Sequence, residues 1–323
     1  DRVTSYLKES TELKVEEEKE KVVEVKEYML LKTADEKLKA VSLKNYNLSN
    51  RAISDNTLPT EVVTLAHKTN SLSTILAFTN FGNCHKVKMS MINETKYKDK
   101  GVDDWVVFKT LQKNEHIVAF FNEEDMQLEG NLMFYTKFGM IKKTERKEYM
   151  LLKTTYQAIK LKDGDELLKV EEEKKMNYNL AFVTKEGMVL NAKTDDIPLQ
   201  GRVAGGVKGI NLSGNDYCVC IESSENMEGE LVVVSSTGQC KRVILATIDE
   251  SARYRKGIKI LAEDVAFCTL VKKPMTICVV DRENNLYYKS SDLIHIMSRL
   301  DKGKPFEKTK KMMFVSKVYT AIE

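Results

Sequence analysis

The stretch GRVAGGVKGINL at residues 201–212 decides the interpretation of this chain, because the sequence around it recurs. An apolar run, LAFVT at 180–184, precedes it and ends at a turn that contains Gly187. A second apolar run follows and carries Lys193 before the glycine-rich stretch begins. Short apolar runs that end at glycine turns predict antiparallel strands. The whole unit is about 50 residues long, a length typical of repeats in propellers and solenoids.

Six such units fill the chain from residue 28 onward. The first apolar run of each unit ends, in chain order, at Thr33, Thr79, Thr136, Thr184, Ser235 and Asp281. The intervals between these residues run from 46 to 57, so the repeat predicts blades or a solenoid. The turn after each run needs a residue with positive φ. We expect Gly in four units, and Asp35 and Asn285 in the first and the last.

Composition sets limits on the function. The chain has 323 residues, a net charge of +3 and 42% hydrophobic residues, which suits a folded core. A run of about 18 apolar residues is absent, so we expect no membrane span. Six cysteines without a C-x-x-C pair predict small buried side chains in a reducing compartment. Four scattered histidines predict no metal site.

The chain begins at Asp1 without an initiator Met, so we expect it to be a piece of a longer protein. Residues 1–27 hold nine acidic and six basic residues and predict an acidic linker from a preceding domain. A solvated helix or an extended lead-in is the alternative for this segment.

The repeated pattern resembles a known family. It reads apolar strand, Thr-x-x-Gly-x-x-Lys/Arg, then Gly-x-Lys-Gly-Ile-x-Leu, then Gly-Asp and another strand, and the unit at 180–221 carries it best. This is similar to the C-terminal domain of the A subunit of bacterial type IIA topoisomerases, DNA gyrase and topoisomerase IV. The resemblance implies an all-β, six-bladed β-pinwheel, a propeller-like disc of four-stranded antiparallel blades. The expected blades are 28–72, 73–125, 126–176, 177–226, 227–272 and 273–323.

The resemblance also implies a function. The disc is expected to be a non-catalytic module that binds double-stranded DNA and bends it around a basic rim, positioning segments for strand passage. The cleavage core that would precede it, and the B (ATPase) subunit of a heterotetramer, are the implied partners in a bacterial cytoplasm, close to the nucleoid. We expect no cofactor here, since Mg²⁺ and ATP serve the rest of that enzyme, and no membrane partner. The alternative is a propeller that binds proteins and has no nucleic-acid role.

One motif of the family is missing. Gyrase has a Q-R-R-G-G-R-G-like box after the second strand of its first blade, and residues 46–52, YNLSNRA, stand in that place. This departure favours a topoisomerase IV-like domain, or a degenerate gyrase, over a gyrase that fully wraps DNA for strong negative supercoiling.

The candidate DNA contacts are basic residues of the second strands and of the loops after them. A Lys or Arg there can bind phosphate as a point charge or a fork. The candidates are Lys86, Lys88, Lys142, Lys143, Arg146, Lys193, Arg202, Lys208, Lys241, Arg242, Arg253, Arg255, Lys256 and Lys289. The glycines at 201–209 lack the spacing of a nucleotide loop, so we interpret them as a close strand crossing.

Overall fold

The computed structural model describes residues 24–53, 57, 61–175, 177–309 and 313–322. Most of the predicted acidic linker, at 1–23, lies outside the described residues. The described chain is nearly all β and forms six small sheets, one for each repeat. The predicted fold class, a six-bladed disc of small antiparallel sheets, is therefore confirmed.

The blades are built from short strands. In chain order these are β1 (Glu27–Thr33), β2 (Lys37–Ser42), β3 (Val63–Asn70), β4 (Thr74–Thr79), β5 (Asn83–Lys88), β6 (Val102–Asp103), β7 (Ile117–Asn122), β8 (Asn131–Thr136), β9 (Met140–Glu145), β10 (Thr155–Gln157), β11 (Leu167–Glu172), β12 (Tyr178–Thr184), β13 (Met188–Lys193), β14 (Val207–Lys208), β15 (Cys218–Glu225), β16 (Glu230–Ser235), β17 (Gln239–Ile244), β18 (Glu250–Ser251), β19 (Ile258–Lys259), β20 (Val265–Val271), β21 (Thr276–Asp281), β22 (Leu286–Ser290), β23 (Lys304–Pro305) and β24 (Val315–Ala321). Two short α-helices, α1 (Leu43–Leu48) and α2 (Asp104–Val107), lie between strands. Single 3₁₀ turns follow at Met89–Met91, Glu123–Gln127, Arg146–Tyr149, Leu245–Thr247 and Ser291–Leu293.

The first five blades have the same strand order, and the described part of the sixth has three strands, β22, β21 and β24. The first two strands of a repeat form a hairpin, as β8 and β9 do, and the third strand, here β11, returns beside the first. The outer edge of the second strand pairs with a two- or three-residue strand that comes from the next repeat, as β14 pairs with β9. Equivalent outer strands are β6, β10, β19 and β23, and β18 adds a parallel pair in the fourth blade. Neighbouring repeats therefore exchange strands, and the predicted sequence boundaries of the blades remain a prediction.

The ring of blades is closed. The third strands of successive repeats contact one another around the disc, and β24 of the last blade contacts both β20 and β3. The amide of Ile322 donates to the carbonyl of Val63 at 3.0 Å across this junction. The hydroxyl of Tyr288 on β22 also donates to the carbonyl of Thr57, so the first repeat reaches the outer side of the last blade.

The core lies between blades as much as within them. The ring of Phe78 in the second blade packs edge-on against Phe134 of the third blade, with centroids 5.6 Å apart. Tyr149 stacks on Phe134 at 5.4 Å and joins the same cluster. All six cysteines are buried and unpaired, in keeping with the sequence. No described helix is long and apolar enough to cross a membrane.

The hairpin turns correct two sequence expectations. Glu36 and Asn284, not Asp35 and Asn285, have positive φ, at 63° and 64°. In each case the amide of this residue donates to the carbonyl three positions earlier, Thr33 or Asp281. The residue with positive φ is therefore the fourth of the turn, where the other four blades have Gly.

Gly206 shows why the central stretch is rich in glycine. Its φ is +88°, and a Cβ on it would lie 2.5 Å from the carbonyl oxygen of Ile141. An L-residue there would meet both backbone strain and a clash with the strand that β14 must pair with. The interpretation of the glycines at 201–209 as a close strand crossing agrees with this geometry.

We predict that Gly206→Ala lowers the free energy of unfolding by about 1–3 kcal/mol, because of the strained φ and the close carbonyl. Gly201→Ala is the matched control, since no atom lies within 4 Å of its Cβ position and its φ is not positive. Urea denaturation measures both variants. Equal stability of the two variants would contradict the assignment.

Candidate nucleic-acid interface

The outermost layer of the disc is formed by the segments that each repeat contributes to the preceding blade. We call these the exchange segments and define them as residues 96–103, 150–157, 201–208, 252–259 and 298–305. Their last residues pair with the second strands, for example Val207 with Ile141 and Ile258 with Val189. The second strands are thus covered at their outer edge, and their side chains are not the outermost groups of the rim.

Lys142 lies in the interior and is not available to a phosphate in this structure. Its side chain has no exposed area, and its Nζ donates to the carbonyl of Ala158 at 2.6 Å and to the carbonyl of Arg202. The hydroxyl of Tyr149 accepts at 3.0 Å, and the ring of Phe134 lies beneath the ammonium at 4.5 Å. These oxygens favour the ammonium, but burial has the larger effect and lowers the pKa of Lys142 to about 7.

Lys241 occupies the same register in the fifth blade and has the same role. It is fully buried, and its Nζ donates to the carbonyls of Ser298, Arg299 and Asp301 at 3.1, 2.8 and 2.6 Å. Burial lowers its pKa to about 8. These acceptors belong to an exchange segment, as Arg202 does for Lys142. The two buried lysines therefore hold exchange segments in place and do not face a ligand.

The register of the hairpins shows that this position recurs. Lys39 in the first blade and His85 in the second are the equivalents of Lys142. Lys39 donates to the carbonyl of Tyr97 at 3.1 Å, again in an exchange segment. The ring of His85 is hydrogen-bonded to Thr110 and Glu115 at 2.7 and 2.9 Å. In the fourth blade the position is Leu190, which shows that the basic residue is not required in every blade.

Arg146 is also buried, and several other predicted contacts are half-buried and have partners inside the disc. Ion pairs join Lys86 to Glu123, Lys143 to Glu173, Arg146 to Glu172, Arg242 to Glu230 and Arg253 to Asp196. Arg202 donates to the carbonyl of Gln157, and Lys289 donates to the carbonyl of Phe306. A group held in this way has a smaller part of its charge free for DNA.

The remaining predicted contacts are exposed. They are Lys88, Lys193, Lys208, Arg255 and Lys256. The last three belong to the exchange segments 201–208 and 252–259. Lys208 lies over the ring of Tyr254, with its Nζ 4.9 Å from the centroid, so two neighbouring exchange segments touch on the rim.

The positive charge of the chain is concentrated in the exchange segments. Their 40 residues carry thirteen Lys and Arg and three Asp and Glu, a net charge of +10. The whole chain has a net charge of +3, so the other residues carry −7. A surface this basic on a nearly neutral chain suits a polyanion.

Sequence reasoning missed several members of this surface, among them Lys153, Lys259 and Arg299. What these residues share is their position relative to the strand pairing. Each lies within six residues of the first residue of its segment that pairs with the preceding blade. This alignment becomes visible only when the partner strand is known. Among the described residues, no group of three or more His, Cys, Asp or Glu side chains could hold a metal ion.

Comparison with known proteins shows that the chain is similar to domains of DNA topoisomerases. The family described as DNA gyrase C-terminal domain, beta-propeller, matches residues 73–122, 130–171 and 178–220. The chain is 27% identical over 242 residues to the A subunit of DNA topoisomerase 4 from Staphylococcus epidermidis, and 28% identical over 249 residues to that from Staphylococcus aureus. These matches cover 72% and 73% of the chain and 30% of each relative, so the chain spans less than a third of their length.

Solved structures share the fold. The C-terminal domain of DNA topoisomerase IV superposes with a TM-score of 0.79 at 24% identity, covering 92% of this chain and 94% of that one. The DNA gyrase A C-terminal domain gives a TM-score of 0.62 at 20% identity, covering 92% of this chain and all of that one. The resemblance inferred from the repeated pattern is confirmed.

We predict that Lys142→Met lowers the free energy of unfolding by about 1–3 kcal/mol, because it leaves buried oxygens without a donor. Lys143→Met is the matched control: Lys143 is the next residue, half-buried, and paired with Glu173 at 3.2 Å. Its loss should cost less than about 1 kcal/mol. Urea denaturation at neutral pH compares the variants, and an equal loss would contradict the structural role of Lys142.

The same pair tests the lowered pKa. The folded protein holds Lys142 with a pKa of about 7, against 10.5 for the free side chain, so the unfolded state binds more protons between these values. Stability contributed by this site therefore rises with pH through that window. We predict that the stability difference between wild type and Lys142→Met grows by more than about 1 kcal/mol from about pH 7 to about pH 9.5. The difference between wild type and Lys143→Met should stay constant, and a constant difference for Lys142→Met would refute the lowered pKa.

Proposed function

We propose that this chain, which resembles the C-terminal domains of DNA gyrase and topoisomerase IV A subunits in sequence and in fold, binds double-stranded DNA and bends it around the rim of the disc. The module itself is non-catalytic in this proposal. Its task is to capture a DNA segment and to position it for strand passage by a cleavage core. The DNA contact would be made mainly by phosphates, with little direct reading of bases.

The observation that supports the proposal most strongly is the net charge of +10 on the exchange segments. These segments lie side by side around a closed ring, so the charge forms a curved band, not a flat patch. Duplex DNA is stiff over about 150 bp, and bending it needs contacts spread along the curve. A basic band around a disc supplies such contacts at successive blades.

The place of the gyrase box in the first blade favours a topoisomerase IV-like role. Residues 46–52 include the end of α1, and Arg51 lies over the ring of Tyr46 at 4.2 Å. Its guanidinium also donates to the carbonyl of Tyr46. This single, internally bonded arginine replaces a loop with several free ones. We therefore propose DNA capture for decatenation or relaxation, without strong wrapping for supercoiling.

The proposal extends to the whole enzyme, since the match with this chain covers only 30% of the relatives. An upstream part of the same polypeptide would break and rejoin DNA, and a B subunit would hydrolyse ATP. Mg²⁺ and ATP would act there, and the assembly would work in the bacterial cytoplasm on the nucleoid. A propeller that binds only proteins is the alternative, and the test below separates the two.

We predict that replacing Lys208, Arg255 and Lys256 by Ala weakens duplex binding and lowers the slope of log affinity against log salt by about 2.7, at about 0.9 for each phosphate contact. The matched control replaces Lys175, Lys273 and Lys317, three exposed lysines outside the exchange segments, and removes the same net charge. Fluorescence anisotropy with a duplex of about 150 bp measures affinity between about 50 and 200 mM salt.

The control should keep nearly the full slope, because its lysines lie in or beside inner strands. An equal loss in both triple variants would show that net charge matters and rim placement does not. A wild-type protein that binds neither long nor short duplexes would refute the DNA role and leave the protein-binding alternative. Bending predicts tighter binding to long duplexes than to short ones at equal concentration of sites.

A further inference from the structure

The exchange segments share a second feature, a protruding nonpolar side chain at one register position. In each exchange segment one residue pairs with the same position of the neighbouring second strand. The protruding side chain lies four residues before it, and in four segments it is Leu152, Val203, Tyr254 or Leu300. The pairs at that position are Tyr156 with Cys84, Val207 with Ile141, Ile258 with Val189 and Lys304 with Cys240. The exposed fractions of the four protruding residues are 103%, 53%, 48% and 73%. We call them the rim knobs. In the remaining exchange segment, 96–103, Lys98 has the same position.

This recurrence differs from ordinary exposure of scattered apolar residues. Single exposed leucines are common on protein surfaces and need no explanation. Here the exposed side chain returns at the same place in four segments, while the residues that pair with the second strand vary from Tyr to Lys. None of the rim knobs belongs to a hydrophobic core cluster of the described residues, so core packing does not account for their recurrence.

The backbone beneath the rim knobs is fixed. Buried Lys142 bonds the carbonyl of Arg202, and Lys241 bonds that of Arg299, each directly before a knob. Tyr254 has a φ of 62°, and its amide donates to the carbonyl of Gly209 at 2.7 Å. Such a φ is strained for a bulky residue and persists only where the surroundings hold it. The knobs are therefore held in position before any ligand arrives.

The surroundings indicate the occupant. Basic residues stand next to each knob in sequence, as in Arg253-Tyr254-Arg255-Lys256, and the segments as a whole have a net charge of +10. A partner that meets a nonpolar side chain and adjacent cations at four successive exchange segments is a polyanion with a repeating structure. Duplex DNA has both properties, and its minor groove exposes sugars and base edges to apolar side chains.

We infer that the rim knobs enter the minor groove of the duplex wherever it faces the disc, and that the basic residues beside them bind the flanking phosphates. This inference rests on the proposed function. A duplex that curves around the disc bends toward the groove that faces it, so the knobs pack against the sugars that line this groove and do not wedge between base pairs. Bending is easiest at pyrimidine–purine steps, so the knobs would give the module a preference for deformable sequence without direct base recognition.

The test is the double variant Leu152→Ser, Leu300→Ser. It should bind a duplex of about 150 bp about tenfold more weakly, because two nonpolar contacts are lost. Its salt slope should equal that of the wild type, since no phosphate contact is removed. Netropsin, which fills the minor groove, should compete with wild type more strongly than with the variant.

The matched control is Leu72→Ser, Leu128→Ser, two leucines with exposed fractions of 64% and 58% outside the exchange segments. It should bind as wild type does, and thermal unfolding should show all variants folded. Unchanged affinity of the Leu152, Leu300 variant while wild type binds with a steep salt slope would refute the knobs and leave the proposed function intact. An equal loss in the control would also refute them. Absence of duplex binding by wild type would refute both.

Discussion

The open outer edge of the second strand in each blade is the constraint on which the structure depends. An unpaired strand edge presents backbone groups that need a partner and invites pairing with other chains. Here the next repeat provides the partner, as Val207 does for Ile141. No repeat is complete alone, and the first repeat must reach the last blade, where Tyr288 bonds the carbonyl of Thr57. The ring itself closes through a different contact, between the third strands β24 and β3.

Covering the edge in this way turns some carbonyls of the exchange segments inward, and these carbonyls need donors. Lys142 and Lys241 on the second strands supply these donors. Burial of the ammonium group is unfavourable, and it lowers the pKa of both side chains. The outward side chains of the same segments, such as Lys208 and Arg255, stay in solvent. Basic residues thus have two roles on the rim. The buried lysines hold the exchange segments in place, and the exposed Lys and Arg side chains give these segments a positive charge that can attract a polyanion.

The fold was accessible from the sequence because its signals are local. Each hairpin is written as an apolar run, a four-residue turn and a second run, and Gly139 or Gly187 marks the turn. The site was less accessible. Lys142 and Lys143 are neighbours in sequence and were equal candidates, yet alternation along a strand puts the first in the interior and leaves the second half-buried. Which side is covered depends on a segment about 60 residues away, and no local pattern contains that information.

The octapeptide KEYMLLKT, present at 26–33 and 147–154, separates the two kinds of information. In the first copy it forms β1, with Leu31 fully buried. In the second copy it begins within the 3₁₀ turn Arg146–Tyr149 and continues into an exchange segment, where Leu152 is fully exposed. The sequence by itself determined the period, the hairpins and the glycine turns, because these depend on neighbours along the chain. Only the tertiary structure decided which strand edge each segment covers, and hence which leucines and lysines face water, because burial is set by contacts between repeats.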